Sequence, residues 1–274
     1  MRLGIYVYGF ATIAAGILDL VWREFDPAYQ PIQAWGDHIP GQRIFAYITA
    51  IWLIAAGATI LWRRTARAGA MASAIMYFIF AVFQFPRFYT APHYLGYHVR
   101  VYVGVLDGIC QDFILVVAAA IVCGSLTRRG SLSLNAARIS RWVFGLCSID
   151  FGLAHLDSIQ AVAPMVPRWI PLGGAFWTIL TGIAFVLAGL AIVSEVLDVL
   201  AARLLALMLL VFSVLVLAPM PFALPHDHIA WGSNAYNLAA VAAVWIFANW
   251  IARPPCGAST LCPPAAGGGI VRGQ

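Results

Sequence analysis

Eight apolar stretches punctuate the chain, at about residues 4–21, 44–62, 69–85, 101–123, 141–157, 173–193, 201–218 and 234–252. Each approaches the ~20 residues that a helix needs to cross a bilayer. Each is expected to be helical, because lipid offers no other partner for a backbone amide. The polar segments between them alternate in character. Arg63, Arg64 and Arg67 fall in one connection, Arg128, Arg129, Arg138 and Arg141 in another, and Arg2, Arg203 and Arg253 flank further spans. With eight spans all of these lie on one side. The positive-inside rule makes that side cytoplasmic and places both termini there, in a multi-pass protein of the cell (inner) membrane. The long connections 22–43, 86–100, 158–172 and 219–233 then face outward.

The spans repeat. Val7, Gly9, Ile13 and Gly16 match Val143, Gly145, Ile149 and Gly152 at an offset of 136 residues. Thr49, Ile51, Ala56, Gly57 and Ile60 match Thr181, Ile183, Ala188, Gly189 and Ile192 at an offset of 132. Pro86, Pro92 and His93 match Pro219, Pro225 and His226 at 133. The expected fold is an all-α integral membrane protein of about eight transmembrane helices, arranged as two parallel-repeat four-helix bundles. The first repeat covers residues 1–125 and the second 136–253, with a Pro/Gly-rich cytoplasmic tail over 254–274 that reads as disordered. Four spans is an even number, so the two units insert the same way up, about an axis along the membrane normal. Gly9 and Gly16, and Gly145 and Gly152, form small-residue stripes for close helix approach.

Composition strengthens this picture. Hydrophobic residues make up 62% of the chain, charged residues 10%, and the mean hydropathy is +0.87. Soluble domains carry roughly 25% charged residues, so the lipid bilayer is the expected partner surface. The net charge of +5 is carried by Arg alone, because the chain has no Lys. That removes Schiff-base chemistry. Because the Arg residues flank apolar spans, their charge reads as topology and not as a nucleic-acid surface. Cys110, Cys123 and Cys147 read as small buried hydrophobes. Cys256 and Cys262 in the tail lack a standard zinc or thioredoxin spacing.

Polar groups concentrate on the outer side. His38, His93, His98, His155, His226 and His228 all fall there, with Asp19, Asp37, Asp157 and Asp227 among them. Asp19 and His155 are counterparts at the 136-residue offset. They are expected to meet across the axis, where with Asp157 they would relay protons as catalytic groups. His93, His226, Trp231 and Arg100 are the expected residues for a quinone or other cofactor head group. His226, Asp227 and His228 are the candidate metal donors, and a haem is a further alternative. The plainer alternative is interfacial histidines in long loops. Asp107 and Gln111 lie four apart on one helix face, and Asp150 sits inside a span. An acid there is costly and faces a bundle interior or a water-filled cavity.

The unit has a recurring look: GFATIAAGILD in the first copy and GLCSIDFGLAHLD in the second, then AAGATI and LAGLAI in the following span. It resembles the DoxX/DoxD-like superfamily of small membrane proteins, over about residues 4–252, with two units fused where many members have one. The resemblance implies a membrane subunit of a quinone-linked redox system, working with a redox partner subunit or as a homodimer. Two other functions stand beside it. A membrane anchor or assembly partner predicts a packed interior without a cavity, and a small-molecule or ion transporter is allowed by the intramembrane acids.

Overall fold

The computed structural model describes residues 2–27, 30, 40–126 and 134–252. The expectations for Asp37, His38, Cys256, Cys262 and the 254–274 tail lie outside these residues. All regular structure among the described residues is helical. The long helices are α1 (Arg2–Trp22), α2 (Gln42–Leu61), α3 (Ala66–Gln84), α5 (Val99–Ser125), α6 (Leu134–Asp157), α8 (Gly173–Val193), α9 (Asp198–Phe212) and α11 (His228–Ile251). Short helices join them: α4 (Arg87–Leu95), α7 (Ile159–Val162) and α10 (Met220–Ala223).

Six of these segments are long and apolar enough to cross a membrane: α1, α2, α3, α5, α8 and the run from Asp198 to Ala223. This is a helical membrane protein. Two further long helices, α6 and α11, are 24 residues each and fall outside that set, α6 being the less apolar of the two. Their polar content is Arg138, Arg141, Asp150 and His155 in α6, and Asn234, Asn237 and Asn249 in α11. Both begin well before the apolar runs that announced them at 141 and 234, because polar residues interrupt those runs: Asn135 and Arg138 in α6, His228 and Ser233 in α11. The outer connections are also more ordered than loops. Trp231, expected in a loop, sits in the first turn of α11, and the 86–100 connection is largely α4.

Helix contacts follow a regular scheme. Helix α1 packs on α2 and α6 on α8; α3 packs on α5 and α9 on α11; α1 touches α11 and α6 touches α5; α5 and α11 meet at the centre. The glycines explain the first two pairs. A methyl added at Gly16 would stand 2.6 Å from the Ala50 carbonyl oxygen, and one at Gly152 would stand 2.6 Å from that of Gly182. Gly57 and Gly189 face the Gly9 and Gly145 carbonyls at 2.6 and 2.5 Å in the same sense. Such contacts let two backbones touch, and van der Waals packing of this kind holds helices together in lipid. The offsets read from the sequence therefore connect crossings of the same construction. In the centre Phe144 of α6 stacks on Phe247 of α11, centroids 4.3 Å apart.

The ends are fastened by polar contacts. On the Arg-rich side, Arg141 of α6 holds Asp198 at the start of α9, at 2.9 Å. At the other end Trp22 stacks on His228, centroids 4.8 Å apart, and donates to the His226 carbonyl. Gly232 in the first turn of α11 leaves room for the buried Asp26 carboxylate.

Candidate functional site

Helices α1 and α6 each bury a stripe of side chains at positions 136 residues apart in the sequence. Tyr8, Thr12, Ala15 and Asp19 on α1 correspond to Phe144, Ser148, Phe151 and His155 on α6, all at the 136-residue offset. In the first half the stripe is consumed by protein contacts. Tyr8 is completely buried; its hydroxyl lies 3.1 Å from Ser73 Oγ and donates to the Leu115 carbonyl at 3.1 Å. Thr12 donates to the Tyr8 carbonyl, and Gln30 donates to Asp19 Oδ2 at 2.8 Å. Gln84 donates to Asp112 at 2.9 Å nearby. On α6 the residues at the corresponding positions line a cavity of about 160 Å³.

That cavity is the candidate site. Its polar lining is Asp107 and Gln111 from α5, Ser148 and His155 from α6, and Tyr236 and Asn237 from α11, set among Phe151, Phe185 and Phe212. Gln111 donates to Asp107 Oδ2 at 2.7 Å, so the expected shared face on α5 is present. The Gln111 carbonyl oxygen is buried and has no hydrogen-bond partner. His155 is oriented on both sides. Its Nδ1 lies 2.8 Å from the Phe151 carbonyl, which can only accept. The neutral ring therefore carries its proton on Nδ1 and presents Nε2 as an acceptor. The ring lies parallel to Phe212 and tilts against Phe185, with centroids at 6.2 and 5.2 Å.

His155 and Phe212 also wall a second cavity of about 200 Å³, bounded by Val162, Met165, Trp177 and Val216 and almost wholly apolar. The wall that α9 gives this cavity is a π turn, Ser213–Leu217, marked by the Ala218 amide bonding the Ser213 carbonyl at 2.8 Å. A π turn displaces backbone carbonyls from their usual partners, and it is common at functional sites. Two α11 side chains receive them. Asn234 donates to the Leu217 carbonyl at 2.7 Å, and Asn237 donates to the Leu209 carbonyl at 2.9 Å and to Ser213 Oγ at 2.6 Å.

The other sequence-chosen residues are dispersed. Asp19 and His155 do not meet: each faces the interior of its own half, since α1 and α6 pack against different partners. Asp157 is exposed at the end of α6. His93 is exposed on α4, where Tyr97 bonds its Nδ1 at 2.9 Å. His226 is exposed, and Trp231 donates to the Pro225 carbonyl. Neither His93, His226, Trp231 nor Arg100 lines the His155 cavity; Arg100 lines a separate one.

The metal expectation is corrected. Among the described residues no group of three His, Cys, Asp or Glu side chains is placed to hold an ion. Asp227 caps α11 by accepting from the Ile229 amide at 3.0 Å, His228 is buried against Trp22 and Glu24, and His226 is exposed. Capping is the usual work of an Asp before a helix. Asp150 is buried beside Cys110 at the α5–α6 contact, with Oδ2 unpartnered.

Ser148, Tyr236 and Asn237 did not stand out in the sequence. The offset carried a signal for the first, since Ser148 is the counterpart of Thr12. Asn234 and Asn237, three apart in an Ala-rich span, carried one for the third. No protein-family model, no curated protein and no solved structure matches the chain.

Proposed function

We propose that the chain is a membrane subunit of a quinone-linked redox system, of DoxX-like type, whose second half binds the quinone head group at His155. The observation that carries this reading is the oriented Nε2 acceptor of His155, placed between a mainly apolar cavity that carries a few polar side chains and a second, almost wholly apolar one. A quinol ring is flat and apolar and bears hydroxyl donors at opposite edges. His155 Nε2 would accept from one hydroxyl, and the unpartnered Gln111 oxygen is a second acceptor. Phe151, Phe185 and Phe212 offer faces and edges for the ring. The apolar cavity beyond His155 suits the start of an isoprenoid-type tail. When bound, the quinone supplies the two-electron, two-proton chemistry. The chain's residues orient it, exclude water and hold a proton at His155, with Asp107, bonded to Gln111, as the acid in the same lining. The small cavity, mainly apolar with a few polar side chains, suits a single ring and not a larger ligand.

In the same reading all eight long helices cross the bilayer, in two parallel four-helix units. The duplicated glycine crossings and the matching stripes on α1 and α6 support the duplication. A polar α6 and α11 are tolerated because their polar faces turn into the bundle.

The test is binding of a short-tailed quinol analogue to purified protein in detergent, followed by native mass spectrometry. Wild type is expected to retain one ligand per chain. His155→Ala removes a hydrogen bond and a ring contact, for an expected loss of roughly tenfold or more in affinity. Equal retention by wild type and His155→Ala, with both proteins folded, rejects the proposal.

A further inference from the structure

Two thiols face each other behind the lining of the His155 cavity. Cys110 of α5 and Cys147 of α6 are both buried where these helices pack. The Cys110 thiol shares a hydrogen bond with that of Cys147, and the Asp150 carboxyl lies against Cys110. We propose that Cys110 and Cys147 are a dithiol–disulfide pair that passes two electrons to the quinone. The proposal rests on the quinone reading of the His155 cavity and names the electron donor of that site.

The spacing pairs like with like. Asp107 and Cys110 are three apart on α5, and Cys147 and Asp150 are three apart on α6, in reverse order. Residues three apart share a helix face. Thiol therefore meets thiol, and Asp107 lies within electrostatic reach of Asp150. Packing does not require these side chains, since at the 136-residue offset α1 carries Ala11 and Ala14 instead. Nor is the group a metal cage: among the described residues no three such side chains are placed to hold an ion.

Asp150 is buried and its Oδ2 has no hydrogen-bond partner. An acid in that position is expensive. Beside a thiol it has a use, because the proton must leave before the sulfur can react. The cavity is adjacent. Gln111 and Ser148, the residues that follow Cys110 and Cys147, line it, and so does Tyr236. Tyr236 is within electrostatic reach of both thiols.

In the step, both S–H bonds break and one S–S bond forms. The two electrons go to the quinone, and the two protons go to its oxygens, which become the quinol hydroxyls. Asp150 takes the Cys110 proton, and Asp107 and His155 in the cavity lining return protons to the ring. The disulfide so formed ties α5 to α6, and with them the two halves of the chain.

The test uses the full chain in detergent, reduced, freed of reductant and kept anaerobic, then mixed with one equivalent of a short-tailed quinone. Quinone absorbance is followed, and the thiols are alkylated after denaturation and mapped by peptide mass spectrometry. Retention of the quinol analogue is measured alongside by native mass spectrometry. Wild type is expected to convert one quinone per chain and to yield a Cys110–Cys147 disulfide, while Cys123, about 20 Å further along α5, stays a thiol. Cys110→Ala and Cys147→Ala are expected to lose the conversion and keep the analogue. Asp150→Asn is expected to form the disulfide roughly a hundredfold more slowly, with unchanged retention. Analogue retained by wild type with both thiols still free overturns this inference and leaves the quinone reading intact. Analogue retained by neither wild type nor His155→Ala rejects the quinone reading and this inference with it.

Discussion

Two glycines of α1 and α5 illustrate how much a single missing side chain decides. At Gly16 an added methyl meets the Ala50 carbonyl at 2.6 Å and the Ile54 side chain at 2.9 Å. The α1–α2 backbones must then separate, and packed helices do not yield cheaply; overpacking costs about 1–3 kcal/mol. At Gly104 the same methyl meets nothing, and replacing a helical glycine by alanine gains about 0.5–1 kcal/mol. Gly16→Ala is therefore expected to lower the thermal midpoint of delipidated protein in detergent, and Gly104→Ala to raise it or leave it unchanged. Equal shifts in the two variants contradict the packing described for α1. The sequence reading placed Gly16 in a small-residue stripe correctly. It had no means to separate a packing glycine from one that borders empty space, because that depends on which helix lies opposite.

At the scale of elements, the interruption of α9 is the feature least visible beforehand. Residues 201–218 read as one uninterrupted apolar span, without Pro or Gly at mid-depth, and periodicity gives no warning of a π turn. What fixes the turn is on another helix, in Asn234 and Asn237 of α11. The pair is specific: Asn237 reaches both Leu209 and Ser213, the last turn of α9 and the first residue of the π turn. Asn237→Ala leaves the Leu209 carbonyl and the Ser213 hydroxyl without that donor in a dry interior, at an expected cost of about 1–3 kcal/mol. It also loosens the Phe212 wall that the two cavities share. The expected outcome is a lower thermal midpoint together with weaker retention of the quinol analogue; loss of stability with unchanged binding would separate the turn from the site. The helices themselves were legible from apolar runs alone, and Gly173–Val193 matches its expected span end to end. The starts of α6 and α11 were not, since their first turns carry Asn135, Arg138 and His228, which read as loop when hydropathy is the guide. Site residues divided similarly. Asp107, Gln111 and His155 stood out as polar groups in or near spans, and the structure gathers them. The loop histidines also stood out, and it scatters them, because composition reports where a residue lies along the bilayer normal and not which way its helix turns it.

For the whole molecule the question is how six apolar helices and two more polar ones share a membrane. The six fall into two contacting sets, α1–α2–α3–α5 and α8–α9, and α6 and α11 join them: α11 touches α1, α5 and α9, and α6 touches α5 and α8. A helix so enclosed can carry Asp150 or Asn237, because its polar groups meet protein and not lipid. If only the six apolar helices crossed the bilayer, α6 and α11 would lie outside it. Their packing partners would then be half in lipid and half in water, and the core around the stacked Phe144–Phe247 pair would sit between the two. Eight crossings keep that core within the hydrocarbon. They also put the α2–α3 turn with Arg63 and Arg64 on the side opposite α4 with Tyr94. This is testable in cells with a chain whose native cysteines are replaced and a single cysteine is returned at residue 64 or 94. A membrane-impermeant maleimide is expected to label position 94 in intact cells and position 64 only after permeabilisation. A third site in the α8–α9 connection, at Glu195, is expected to behave like 64 under eight crossings. If instead α6 does not cross, α8 enters from the opposite side and Glu195 labels with 94. The pattern at 195 therefore decides whether the polar helix α6, and with it the His155 cavity, is inside the membrane.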